Sequence, residues 1–235
     1  MVMPKTNHQS RDFFKSLNSF GRQNHETFWL ATRFLDQKAR HLALMALCLD
    51  GEFYRIVSSV QEEMVAQIRL QWWRDEVQRI LSGQVSQQTL AAQSLEGLLK
   101  ANPDSATEIE HLINAYDDIA SGQQGDYAET LFRLLFAVAG AEQHDISKYA
   151  ALCSNVFQSA NAGVLNRPAV EALARELDAV PEAIWPFLCL FEFTTDWQKK
   201  RRPSKLGQRF RLLLCFLGGE ARLKTKLLRH AEAGN

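Results

Sequence analysis

Two acids stand in an apolar stretch, "ALCLDGEFYRIVSSV" (Ala46–Val60), and their spacing sets the first chemical question. On a helix, Asp50 and Glu52 point about 200° away from each other. Neighbours on one helical face are three or four residues apart, so this pair cannot chelate one ion together. One turn beyond Glu52 stands Ile56, which offers no ligand to a metal. Asp117-Asp118 with Asp126 make an acidic cluster around a helix end, and capping and solvation account for it. The six histidines form no H-x-x-x-H pair or Cys/His cluster, which argues against zinc. Cys48, Cys153, Cys189 and Cys215 are far apart among apolar residues, without a C-x-x-C. They are expected as reduced, buried thiols in a cytosolic setting.

The elements that must hold these residues are helical. Long apolar-periodic runs are interrupted by only 12 Gly and 6 Pro, and no alternating strand pattern occurs. The periodicity predicts helices over "HETFWLATRFL", over about Gln37–Val57, and over about Gln61–Leu81 with a stop at Gly83. A short helix precedes Pro103, and a capping box of Ser105 and Glu108 opens the next, which stops at Gly122. Helices open near Asp126 and Asp145, and Pro168 and Pro181 suit the first turns of two more. The last helix starts near Pro203 or Ser204 and is weakened by Gly218-Gly219. The fold class is all-α, with an N-terminal arm over residues 1–23 and one helical domain over 24–235.

Net charge is zero but unevenly spread: from Lys199 onward there are 11 Lys/Arg and two acids, Glu220 and Glu232. An acidic body with a basic tail suggests an anionic surface as partner, unless the tail is a solvated helix end. Phe210, Leu213, Leu214 and Leu217 recur at helical spacing there and are expected to pack on the domain or lie in a membrane interface. "KKRR" (Lys199–Arg202) could meet phosphate or anionic lipid; without interleaved aromatics, nucleic acid has little support. The N-terminus lacks the apolar core of a signal peptide. "LLLCFL" (Leu212–Leu217) is too short to span a bilayer. The chain is expected to be soluble or at most peripheral.

"QIRLQWWRDEV" (Gln67–Val77) is the most unusual segment. Ile68, Leu70, Trp72 and Trp73 cannot share one helical face, so this helix is expected to be buried on more than one side, with the tryptophans in the core. Arg69, Arg74, Asp75 and Glu76 would form ion pairs or meet the next helix. Together with the preceding "EFYRIVSSVQEEM", this segment resembles the squalene/phytoene synthase family. It is most similar to the non-catalytic branch that includes assembly factors of respiratory complex I. Phe28 with "LATRF", Arg40, and "YAETLFRLLFAVAGA" (Tyr127–Ala141) also match, and the resemblance covers about Phe28–Pro168.

The resemblance implies a single-domain helical bundle of the isoprenoid-synthase type. Family members that are synthases join two prenyl diphosphates head to head, using Mg²⁺ held by carboxylate pairs one turn apart on two facing helices. At the first pair this chain has Glu52 and Ile56. At the second, the pattern Gln-x-x-Asn-x-x-Arg-Asp keeps Gln158 and Asn161, while Val164 and Leu165 replace Arg-Asp and Ala169 replaces the last acid. Pro168 is expected to end the helix where the motif should continue. One carboxylate of four cannot hold a magnesium cluster against water.

These replacements imply a binding or assembly protein with no catalytic residue, no metal ligand and no cofactor. Its partner would be a protein of respiratory-complex assembly, an isoprenoid or lipid ligand, or an anionic membrane surface. A cytoplasmic place, peripheral to the inner membrane, would follow. The rival is a Mg²⁺-dependent prenyltransferase of the squalene/phytoene type. Arg40, Glu52, Gln158 and Asn161 are the candidate substrate-binding residues, and under that rival they would be the ones nearest the diphosphates.

Overall fold

The computed structural model describes residues 7–60, 62–84, 88–141, 143–164, 166–193 and 205–233. Among them the chain is all-α, with no strand. The helices are α1 (Asn7–Asn24), α2 (Glu26–Thr32), α3 (Gln37–Ser59), α4 (Glu63–Leu81), α5 (Leu90–Ala101) and α6 (Ser105–Ala120). They continue as α7 (Tyr127–Ala139), α8 (Gln143–Asn161), α9 (Arg167–Glu176), α10 (Trp185–Leu188) and α11 (Lys205–Ala233). Two compact units result, one of residues 1–29 and 36–127, the other of residues 30–35 and 128–235.

The first unit is built around α3. Every residue from Leu42 to Asp50 is buried, because α1, α4, α5 and α6 all pack on this helix. A helix that is apolar all round must be covered all round. Asp36 starts it by accepting a 2.9 Å bond from the Ala39 amide. Gly97 lets α5 lie close: a methyl group there would meet the Met45 sulfur at 2.9 Å. Residues 7–24, within the segment expected as an arm, form a helix. Leu17 on it is fully buried, and Phe14 stacks on His41 with centroids 3.7 Å apart.

Two local expectations fail in this unit. The capping box does not form: Ser105 is the first helical residue and its hydroxyl donates to the Asn102 carbonyl at 2.6 Å. Glu108 is buried and faces His111 instead. The second concerns α4, which is not enclosed on several sides. Leu70 and Trp73 are buried and Trp72 is half-buried, but Ile68 is 63% exposed.

The second unit packs α9 on α8 and α11, with α7 joined through phenylalanines. Phe132 lies 6.0 Å from Phe157 and 6.1 Å from Phe191, and Phe136 lies 5.9 Å from Phe187. The weakness expected at Gly218-Gly219 is a break in α11, where Gly219 has φ of 65°. The buried face of α11 differs from the expected stripe. Leu212, Cys215, Leu223 and Leu227 are buried, while Leu217 is 72% exposed and Leu213 is also exposed. Beside that face, Arg211 and Lys226 reach from this helix to the buried carboxylate of Glu192. The side chain of Phe210 and the run Lys199–Arg202 lie outside the described residues. Among the described residues no helix is long and apolar enough to cross a membrane.

Candidate functional site: a cleft beside Glu52

A cavity of about 660 Å³ opens in the first unit, and Glu52, Arg55, Ile56, Arg69, Trp72 and Trp73 are among the residues that line it. Helix α3 contributes the acid, its arginine and the isoleucine, at positions one turn apart. Helix α4 contributes Arg69 and both tryptophans. Trp73 is wedged edge-on against Phe53 at 5.6 Å and against Trp72 at 4.8 Å, so the indole of Trp72 is held at the rim by the one behind it.

Glu52 is fully engaged. Arg55 donates to both its oxygens, from Nε at 3.1 Å and from Nη2 at 2.6 Å. This is the two-pronged geometry in which guanidinium and carboxylate match best. The guanidinium in turn is held above its ordinary pKa by that hydrogen bond. Cys48, at the inner wall, is no nucleophile: burial pushes its thiol up to about 11.

Asp50 points away from the cleft, as the two-residue spacing requires. It is buried, accepts a 2.7 Å bond from the Tyr116 hydroxyl, and lies 3.7 Å from Nε2 of His25. Burial holds the Asp50 carboxyl above the usual range, and burial holds His25 below its own. Gly51 makes room for this cluster, since a methyl group there would strike the Phe20 ring at 2.6 Å. No residue near Asp50 in the sequence is its partner. Its signal was its place in the middle of an apolar run, where an acid must find a donor.

Three further site residues were expected: Arg40, Gln158 and Asn161. Arg40 is half-buried in the first turn of α3, twelve residues before Glu52 and so about 18 Å away along the axis. Gln158 and Asn161 belong to the last turn of α8, in the second unit. Gln158 donates to the Ser154 hydroxyl at 3.1 Å, and Asn161 is exposed. The helix does not continue through the motif. Gly163 takes φ of 83°, Val164 is exposed, and α9 begins anew at Arg167 with the Asn166 side chain as its cap. In the acidic cluster, Asp117 is more than a solvated cap, for Arg74 donates to it at 2.7 Å. Among the described residues no group of three or more His, Cys, Asp or Glu is placed to hold a metal ion.

Helices alone, with no strand among the described residues, define an all-α protein. The family description "squalene/phytoene synthase" matches residues 22–162 of 235, and the chain belongs to that family. Comparison with curated proteins and with solved structures returned no match.

Proposed function

We propose that this protein is a non-catalytic member of the squalene/phytoene synthase family, a binding or assembly factor of the kind that serves respiratory complex I. The observation that carries the reading is the state of Glu52. The position one turn on is Ile56, so the acid pair has one member, and both oxygens of that member accept hydrogen bonds from Arg55. Mg²⁺ keeps a near-octahedral shell of oxygens and leans on carboxylates that are free to turn toward it. A carboxylate neutralised by its own helix neighbour, with an aliphatic side chain as its partner, does not suit that ion. The break between α8 and α9 supports the same reading, because it separates Gln158 and Asn161 from the positions where the second acid pair would follow. Without that donor set, the charge that develops on a leaving diphosphate has no counter-ion. What the cleft retains is an apolar and aromatic wall with cations at its edge, which suits binding.

The test is direct. Purified protein given farnesyl or geranylgeranyl diphosphate with Mg²⁺ is expected to release no diphosphate above background. Turnover that disappears in Glu52→Gln would sink the proposal and restore the prenyltransferase reading.

A further inference from the structure

The exposed face of α4 carries apolar residues that the fold does not use. Met64 is 71% exposed and Ile68 is 63% exposed, and both stand at i, i+4 spacing with half-buried Trp72. The three form one ridge about 12 Å long, running along the helix into the cleft that Trp72 and Trp73 wall. Exposed apolar groups scattered singly need no explanation, but a continuous row beside a cleft does. Arg69 stands next to the ridge at the cleft wall. It is exposed and has no ionic partner among the described residues. Tryptophan and arginine are the residues that most often anchor protein interfaces.

We propose that this ridge and cleft form a docking site for an amphipathic helix of another protein, one bearing an apolar stripe with an acidic residue beside it. The stripe would pack along Met64 and Ile68, a bulky side chain would enter the cleft against Trp72, and the acid would meet Arg69. The row's helical spacing matches a helix laid alongside better than a small molecule held in the cleft, which would leave Met64 and Ile68 in water. The charge pattern selects a protein over an anionic membrane: Glu62, Glu63 and Asp75 are exposed at the two ends of the ridge and would repel a sheet of lipid phosphates, whereas a helix can set one acid at Arg69 and keep acids away from both ends. The proposal deepens the binding-protein reading by naming the kind of partner. It is judged by docking, whereas that reading is judged by diphosphate release, so either can fail alone.

The experiment uses the full chain and a display library of helical peptides randomised on their exposed positions, with selected peptides then measured by isothermal titration. Enriched peptides are expected to carry apolar residues at i, i+4 and i+7 with a flanking Asp or Glu. Ile68→Glu and Arg69→Glu should each weaken them about tenfold, the scale of one anchor or one charge pair. Reselection on Arg69→Glu should exchange the acid for Lys or Arg. Both positions are exposed, and unchanged melting temperatures will show that the fold is intact. No enrichment, or binding indifferent to both substitutions, would overturn the proposal. So would a concentration-dependent dimer, or flotation with anionic vesicles, that Ile68→Glu abolishes, since either gives the ridge to a second copy or to lipid.

Discussion

A buried carboxylate of the first unit, Asp50, and one of the second, Glu192, are treated in opposite ways. In the first, Asp50 has a phenol and a histidine beside it and no arginine or lysine bonded to it. In the second, Glu192 accepts from Lys226 at 2.6 Å and has Arg211 at 3.7 Å and Arg222 at 3.9 Å. Arg211 and Lys226 also donate to the Glu192 carbonyl, each at 2.7 Å. Burial holds the Asp50 carboxyl above its ordinary value, whereas Glu192 is ringed by three cationic side chains. The first arrangement therefore makes a hydrogen-bonded core, and the second makes an electrostatic clasp between α11 and the turn at Cys189–Phe193. Neither acid is available for chemistry, which leaves Glu52 as the cleft's carboxylate.

The largest expected effect breaks the aromatic wall that keeps water from Asp50. Phe53 touches both Trp73 and Tyr116, with centroids 5.6 and 6.1 Å away. Trp73→Ala should cost about 3–5 kcal/mol, read from denaturant unfolding. A normal stability with a lost peptide ligand would move Trp73 from core to interface. Next, Glu192→Ala leaves three cations facing an empty, partly buried position and should cost about 3 kcal/mol, since breaking such a cluster exceeds its net worth. If the second unit's carboxylate is no clasp, that variant will melt like the wild type.

Tyr116→Phe removes the one hydrogen bond the structure gives to Asp50 and should cost about 1–3 kcal/mol at neutral pH. The smallest effect is the most discriminating. Because the folded state binds the Asp50 proton more tightly than the unfolded chain, its contribution to stability declines as pH rises from the ordinary carboxylate value of 3.8 to the raised folded value. Asp50→Asn should therefore gain on the wild type over that rise and lose its advantage near pH 4. His25 has the opposite sign, costing stability as pH falls below 6.5, and this acid-side loss should persist in the variant. If Asp50→Asn shows no gain over the wild type as pH rises, Asp50 is not held protonated and the contrast between the units is erased.

Much of the fold was legible because apolar periodicity is a local property. Helix α3 begins at Gln37 as expected, and Gly83, Gly122 and Gly219 end or break helices with positive φ. The helix over residues 7–24 was passed over because its polar residues outnumber Phe13, Phe14, Leu17 and Phe20. On the site, the spacing of Asp50 and Glu52 foretold that they would face apart, and Ile56 does line the cleft. Other features depend on distant partners. Nothing near Asp50 names Tyr116, which is 66 residues away. The buried face of α11 differs from the stripe that Phe210, Leu213, Leu214 and Leu217 suggest, since which face is covered depends on the neighbouring elements and not on the helix's own pattern. The exposure of Ile68 was missed for a related reason: a helix with apolar residues on several faces looks buried until its neighbours are placed.

The proposal that Glu52, hydrogen-bonded to Arg55 with Ile56 one turn on, serves no metal is tested most directly by metal binding. Mn²⁺, as a paramagnetic stand-in for Mg²⁺, can be counted by electron paramagnetic resonance as it is added to the protein with and without farnesyl diphosphate. The free Mn²⁺ signal is expected to match that of a control containing the same diphosphate and no protein. Tightly held ions that require the protein, and that are released in Glu52→Gln, would contradict it.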